Sequence, residues 1–86
     1  MSDPDVAARL RDASRRAAQA AERTARAHEH AAEAHERHAE IADDIGENIE
    51  DAQRSRELAQ RLRATARRDR EIARREQEIA GSDEPA

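Results

Sequence analysis

Alanine supplies most of the apolar side chains of this chain, and that feature restricts the folds open to it. Of 31 apolar residues 21 are alanine, and the 86 residues include no Phe, Tyr, Trp or Cys. After Met1, the larger apolar residues are Val6, Leu10, Ile41, Ile45, Ile49, Leu58, Leu62, Ile72 and Ile79. Full burial of such side chains contributes roughly 1.5–3 kcal/mol each, while ordering each backbone unit costs about 1–2 kcal/mol. An isolated copy is therefore expected to be marginal, so that it self-associates, folds on a partner or stays partly disordered.

Helix is the secondary structure predicted for nearly the whole chain. Ala, Arg, Glu and Gln are good helix formers, and no proline occurs between Pro4 and Pro85. Pro4 followed by Asp5 is typical of a first helical turn, and Gly81 suits the position just after a helix end. The predicted organisation is an N-terminal cap at residues 1–3, a helical hairpin at 4–80 and an acidic tail at 81–86.

The helical pattern changes around Gly46, which predicts a turn between two helices. The expected bounds are about 4–45 for the first helix, 46–47 for the turn and 48–80 for the second helix. Asn48 suits an N-cap, with Asp51 three residues later as its capping-box partner. A single bent helix is the alternative, because glycine inside a helix costs only about 1 kcal/mol. Asp43 and Asp44 favour that alternative, since acids oppose the dipole at a helix C-terminus.

A heptad pattern of apolar residues predicts how the two helices pack. Its members in the first helix are Val6, Leu10, Ala13, Ala17, Ala20, Thr24, Ala27, Ala31, Ala34, His38, Ile41 and Ile45. In the second helix alanine recurs at 52, 59, 66, 73 and 80. A turn at 46–47 then sets Ala34 opposite Ala59, Ala27 opposite Ala66 and Ala20 opposite Ala73. Packing of this kind leaves larger apolar residues uncovered, so two hairpins are expected to dimerise into an antiparallel four-helix bundle through Ile41, Ile45, Leu58, Leu62 and Ile72.

Four histidines in one stretch are the groups that titrate nearest neutral pH. His28, His30, His35 and His38 all lie on or beside the predicted seam and are candidate pH-sensing residues. His35 and His38 are three residues apart and are weak candidates to hold a metal ion together. No motif indicates a resident metal, so no cofactor is predicted. The simplest interpretation is that these histidines are ordinary seam and surface residues.

Arginine provides every basic side chain, and residues 52–75 carry nine arginines against three acids. Arg61, Arg63, Arg67, Arg68, Arg70, Arg74 and Arg75 are candidates to bind an anionic partner. Nucleic acid is possible but not favoured, because the chain carries a net charge of −4 and has no aromatic residue to stack on bases. An acidic protein surface fits at least as well.

The residues present exclude most other functions. Without Cys, Tyr, Lys or a glycine-rich phosphate loop, an enzyme is not expected. No apolar run approaches the length that spans a membrane, and no signal peptide is apparent, so a cytoplasmic location is the default. The predicted fold is all-α, a long antiparallel hairpin with an alanine-rich coiled-coil-like seam. The predicted function is a non-enzymatic protein–protein interaction or scaffolding module that self-associates. The alternatives are a nucleic-acid accessory protein and a His-based pH- or metal-responsive bundle.

Overall fold

Two long helices form an antiparallel hairpin in the structure, a computed structural model that describes residues 4–46 and 48–81. Helix α1 runs over Pro4–Ile45 and helix α2 over Ile49–Gly81. The hairpin measures 68 × 17 × 14 Å. The predicted hairpin is therefore confirmed, in place of a single bent helix. The predicted cap at 1–3, turn residue Glu47 and tail residues 82–86 lie outside the described residues, and Gly81 is the last residue of α2.

Two of the turn residues that the structure describes have left-handed backbone. Gly46 has a φ of +75°, and its N–H donates to the carbonyl oxygens of Ala42 and Asp43 at 3.1 Å each. This is the glycine C-cap that the sequence predicts. Asn48 differs from the extended backbone usual at an N-cap, because its φ is +56°, although its carbonyl accepts the first α2 hydrogen bond from Ala52 at 3.1 Å. Asparagine tolerates this conformation better than most residues.

The core between the helices consists almost entirely of alanine. Eight alanines are at most 2% exposed: Ala18, Ala25, Ala32 and Ala39 on α1, and Ala52, Ala59, Ala66 and Ala73 on α2. Ser14 and Ser55 are the buried polar residues among those described. We call this contact the inter-helix seam. Side chains this small let two helices approach closely, at or below the low end of the usual 8–10 Å between axes.

The seam on α1 is not the one that the heptad predicts. Ala20, Ala27 and Ala34 were expected to face α2, but all three are exposed. The buried and most half-buried positions of α1 lie one residue after those of the predicted heptad, which turns its contact face by roughly 100°. They include 14, 18, 21, 25, 28, 32, 35, 39 and 42. The predicted pairs of Ala34 with Ala59, Ala27 with Ala66 and Ala20 with Ala73 are therefore wrong. On α2 the alanines at 52, 59, 66 and 73 are buried as expected.

Charge explains which of the two alanine-rich faces of α1 packs against α2. With the observed face, the residue four positions after each buried α1 alanine is an acid, and the row reads Glu22, Glu29, Glu36 and Asp43. The equivalent row on α2 reads Arg56, Arg63, Arg70 and Gln77. Ion pairs join these rows, as described below. The face expected from the sequence would set the α2 arginines beside neutral residues of α1, so that three ion pairs would be lost.

Candidate functional site

One side of the hairpin is closed by ion pairs between the helices. Arg56 pairs with Asp43, Arg63 with Glu36 and Arg70 with Glu29. We call this the charged side. The Arg70 side chain also lies 4.0 Å from Glu22 of α1. The Asp43 carboxylate that opposes the α1 dipole is thus neutralised by Arg56.

A histidine–aspartate contact joins the helices at the seam. Nδ1 of His28 lies 2.9 Å from Oδ2 of Asp69, and these side chains are 30% and 17% exposed. From the sequence, Asp69 is expected to pair with Arg23 or Arg26 or to set the register; its partner in the structure is His28. A half-buried carboxylate without a hydrogen-bond partner is unfavourable. The helix register that pairs Asp69 with His28 is therefore preferred over registers that leave Asp69 unpaired.

The remaining histidines are spread over different surfaces. His35 is half-buried at the seam, whereas His30 and His38 are exposed. Only two of the four therefore lie between the helices, although all four were expected on or beside the seam. Within the described residues no cluster of three or more His, Cys, Asp or Glu side chains is arranged to hold a metal ion. His35 and His38 thus have no third protein ligand near them in one chain.

The side of the hairpin opposite the charged side is apolar. Each successive residue of a helix turns by 100°. On each helix, the residue just before a buried alanine and the residue four positions after that alanine therefore lie on opposite sides of the seam. The ion pairs place the two charged rows together, so the two preceding rows also lie together. On α1 this row comprises Leu10, Ala17, Thr24, Ala31, His38 and Ile45; on α2 it comprises Asp51, Leu58, Thr65, Ile72 and Ile79. A further α1 row extends it outward, comprising Val6, Ala13, Ala20, Ala27, Ala34 and Ile41.

We call these three rows the apolar face, and most of the larger apolar side chains of the chain lie exposed on it. Their exposed fractions run from 42% for Leu58 to 64% for Ile45, and the set is Val6, Leu10, Ile41, Ile45, Leu58, Ile72 and Ile79. Even the threonines present no unpaired hydroxyl, since Thr24 and Thr65 donate to the carbonyls of Ala20 and Arg61 at 2.9 and 3.0 Å. An exposed apolar surface of this extent, interrupted by His38 and Asp51 near the turn, is typical of an interaction site.

Four of the five predicted interface residues lie on this face, namely Ile41, Ile45, Leu58 and Ile72. Leu62 does not; it is half-buried at the seam between Ala59 and Ala66 and so packs within the hairpin. Sequence reasoning had left Val6, Leu10 and Ile79 out of the interface. Val6 and Leu10 carried a signal, because they belong to the heptad that was assigned to hairpin packing.

Arginines border the apolar face along both helices. The rows next to it are Arg54, Arg61, Arg68 and Arg75 on α2, and Arg9, Arg16, Arg23, His30 and Arg37 on α1. Of the seven arginines predicted to bind an anionic partner, Arg63 and Arg70 are engaged with α1 instead. The other five, Arg61, Arg67, Arg68, Arg74 and Arg75, are exposed. None of these five forms an ion pair with a described residue.

Neither described helix has a stretch both long enough and apolar enough to cross a membrane. The sequence matches no protein-family model, and comparison with curated proteins and with solved structures finds no similar chain.

Proposed function

We propose that this chain is a non-enzymatic protein–protein interaction module that self-associates through its apolar face. Two hairpins that cover this face together form an antiparallel four-helix bundle with charged outer surfaces. The observation that carries the proposal is the segregation of the hairpin into two unlike sides. The charged side is satisfied by ion pairs within one copy, whereas the apolar face exposes seven large aliphatic side chains.

The dimensions of the hairpin support this proposal. A face 68 Å long on a body 14 to 17 Å across offers roughly 1,000 Å² per copy. Specific interfaces usually bury about 800 Å² on each partner, so the face is large enough to sustain a stable dimer. Covering it also provides the apolar burial that an alanine core lacks, because methyl groups contribute only about 0.8 kcal/mol each.

Sedimentation equilibrium tests this function directly. We expect wild-type protein at tens of micromolar to have twice the monomer mass of 9.6 kDa. Interference optics are required, since no Trp or Tyr is present to absorb at 280 nm. Ile41→Glu and Ile72→Glu each place a charge in the apolar face, and both variants are expected to be monomeric.

Ile49→Glu is the matched control for these variants. Ile49 is 68% exposed, more than Ile41 or Ile72, but it lies in the row of the charged side and not on the apolar face. We expect Ile49→Glu to remain dimeric. A monomeric wild-type protein, or an equal loss of association in all three variants, would refute the proposal.

Binding of nucleic acid is the second candidate, and the five exposed, unpaired arginines of α2 favour it. A gel-shift series at about 50 and 200 mM salt separates it from the first, because phosphate contacts lose affinity steeply over that range. Arg67→Gln with Arg74→Gln should abolish binding. The control is Arg63→Gln, whose side chain is engaged with Glu36 and should matter less. No shift at 50 mM salt eliminates this candidate.

A further inference from the structure

The two α1 rows of the apolar face have a size pattern that is nearly the same in both directions. Read from the N-terminus, the two α1 rows of the apolar face give Val6, Leu10, Ala13, Ala17, Ala20, Thr24, Ala27, Ala31, Ala34, His38, Ile41 and Ile45. Two large aliphatic residues stand at each end, and small residues fill most of the middle. We call this set the α1 stripe.

Reversing the α1 stripe matches its members by size, except that Ala13 falls opposite His38. Around a midpoint between Ala25 and Arg26, Val6 falls opposite Ile45, Leu10 opposite Ile41, and Ala17 opposite Ala34. Thr24 and Ala27 then lie next to the midpoint. Two copies of α1 that run in opposite directions therefore pack aliphatic ends on aliphatic ends. Their central alanines allow close approach of the two helices.

The α2 part of the apolar face is less suited to the centre of an interface. Just outward of its Leu58, Ile72 and Ile79 row lies the arginine row at 54, 61, 68 and 75. The corresponding outward row of α1 is Val6, Ala13, Ala20, Ala27, Ala34 and Ile41, without a charge. Packing α2 against α2 of a second copy would bring the two arginine rows together, and like charges in that position are unfavourable. The α1 stripe is consequently the part of the face that a second copy covers most completely.

Charge distinguishes the antiparallel from the parallel arrangement. Residues 41–51 around the turn carry five acids and no base. A parallel pair would place these acidic turns together. It would also place each border arginine of α1 against the equivalent arginine of the second copy. An antiparallel pair places the turn over the open end of the other hairpin, where Arg9 lies opposite Ala42 and close to Asp44, two residues further on. Arg16 then lies close to Arg37, but Glu33 and Glu40 adjoin Arg37 on its own helix and offset that repulsion.

The turn end also has a place for the aliphatic residues of the second copy. An open depression of about 160 Å³ is lined by His38, Ile41, Ala42, Ile45, Asn48 and Asp51. In the antiparallel arrangement Val6 and Leu10 of the second copy come opposite Ile45 and Ile41, and so reach this depression. A parallel arrangement brings Ile41 and Ile45 of the second copy to the same place, beside a second set of acids.

We infer that the partner of the apolar face is a second copy of this chain, bound antiparallel with its α1 stripe on the α1 stripe of the first. Residue i of one copy then lies opposite residue 51 − i of the other. This inference rests on the proposed self-association and adds its geometry. In the resulting bundle the α1 helices are adjacent at the interface, and the α2 arginines at 61, 68 and 75 remain on the outer surface.

Engineered cysteines test the geometry, since the chain has no cysteine of its own. The double variant Ala17→Cys/Ala34→Cys sets two cysteine pairs across the interface. Both positions are exposed, so the hairpin itself is not disturbed. Within one copy the two thiols are about 25 Å apart along α1, too far to form a disulfide. The single variants Ala17→Cys and Ala34→Cys serve as matched controls, because in the antiparallel arrangement each thiol is about 25 Å from its equivalent in the second copy.

In a glutathione redox buffer at micromolar protein, we expect the double variant to form at least about tenfold more covalent dimer than either single variant. The reason is that thiols adjacent across the interface have millimolar effective concentrations. Non-reducing electrophoresis measures this difference. Efficient cross-linking of the single variants would show a parallel pair and overturn the inference. A sedimenting dimer in which no variant cross-links would overturn it too, while leaving self-association intact. A wild-type monomer would instead refute the proposed function on which the inference rests.

Discussion

Substituting one buried and one exposed alanine on the same helix tests which face of α1 packs against α2. Ala32 is fully buried at the inter-helix seam, whereas Ala34, two residues later, is exposed on the apolar face. Ala32→Leu adds three carbon atoms where the neighbouring helix leaves no room. Overpacking of a tight core typically costs about 1–3 kcal/mol of the free energy of unfolding. In a single hairpin Ala34→Leu adds the same atoms in solvent, and exposed substitutions usually stay within about 0.5 kcal/mol. Both changes are therefore made in the monomeric Ile41→Glu variant, where no second copy covers Ala34.

Thermal unfolding followed by circular dichroism at 222 nm measures both variants. For a domain of this size, 1 kcal/mol corresponds to about 4–8 °C in Tm, so Ala32→Leu should lower Tm by roughly 5–20 °C. Ala34→Leu should lie within a few degrees of the Ile41→Glu parent. The comparison is made at several protein concentrations, because self-association makes Tm depend on concentration. A large loss for Ala34→Leu with little change for Ala32→Leu would refute the observed seam and restore the one that the heptad predicted.

Three further predictions concern the turn and the contacts between the helices. Gly46→Ala should lower the free energy of unfolding by about 1–2 kcal/mol, because φ is +75° there. No atom lies within 4 Å of an added Cβ, so the cost comes from the backbone and not from a clash. Gly46→Asn should cost less, and equal losses of the two variants in chemical denaturation would contradict a backbone origin. Alanine substitutions of His28 and Asp69 in a double-mutant cycle should show a coupling of about 1 kcal/mol, and additive losses would mean that their 2.9 Å contact does not stabilise the fold. Glu29→Arg and Arg70→Glu should each lower Tm, and the double variant should recover most of the loss. Both effects should shrink in 1 M salt. A double variant whose Tm is no higher than that of the less stable single variant would count against the ion pair.

Local physical chemistry explains why the helices and the turn were predictable. A continuous run of strong helix formers without proline favours helix whatever its surroundings are. Gly46 terminates the first helix because it adopts a positive φ without the strain that a Cβ would bring. Alanine at every seventh position of α2 likewise marks its buried face, since no other row of that helix is uncharged and small. These properties depend on neighbours in sequence, which a single sequence displays in full.

The choice of seam on α1 was decided only by the tertiary structure. Two faces of α1 are rich in alanine, and the one with larger aliphatic residues at its ends has the stronger hydrophobic pattern. The hairpin buries the other face, because there the carboxylates of Glu29, Glu36 and Asp43 meet the arginines of α2. This preference depends on residues that lie far apart along the chain. It is therefore not visible in the periodicity of either helix taken alone.

The candidate site was correspondingly half predictable. Ile41, Ile45, Leu58 and Ile72 could be recognised as surplus to an alanine seam, and the structure does leave them exposed. That they share one face with Val6 and Leu10 follows only when the seam is known, since a turn of roughly 100° about α1 moves residues between core and surface. The sequence by itself thus determined two helices, a glycine turn and a shortage of large core residues. The packing of one helix on the other determined which apolar residues remain free to meet a partner.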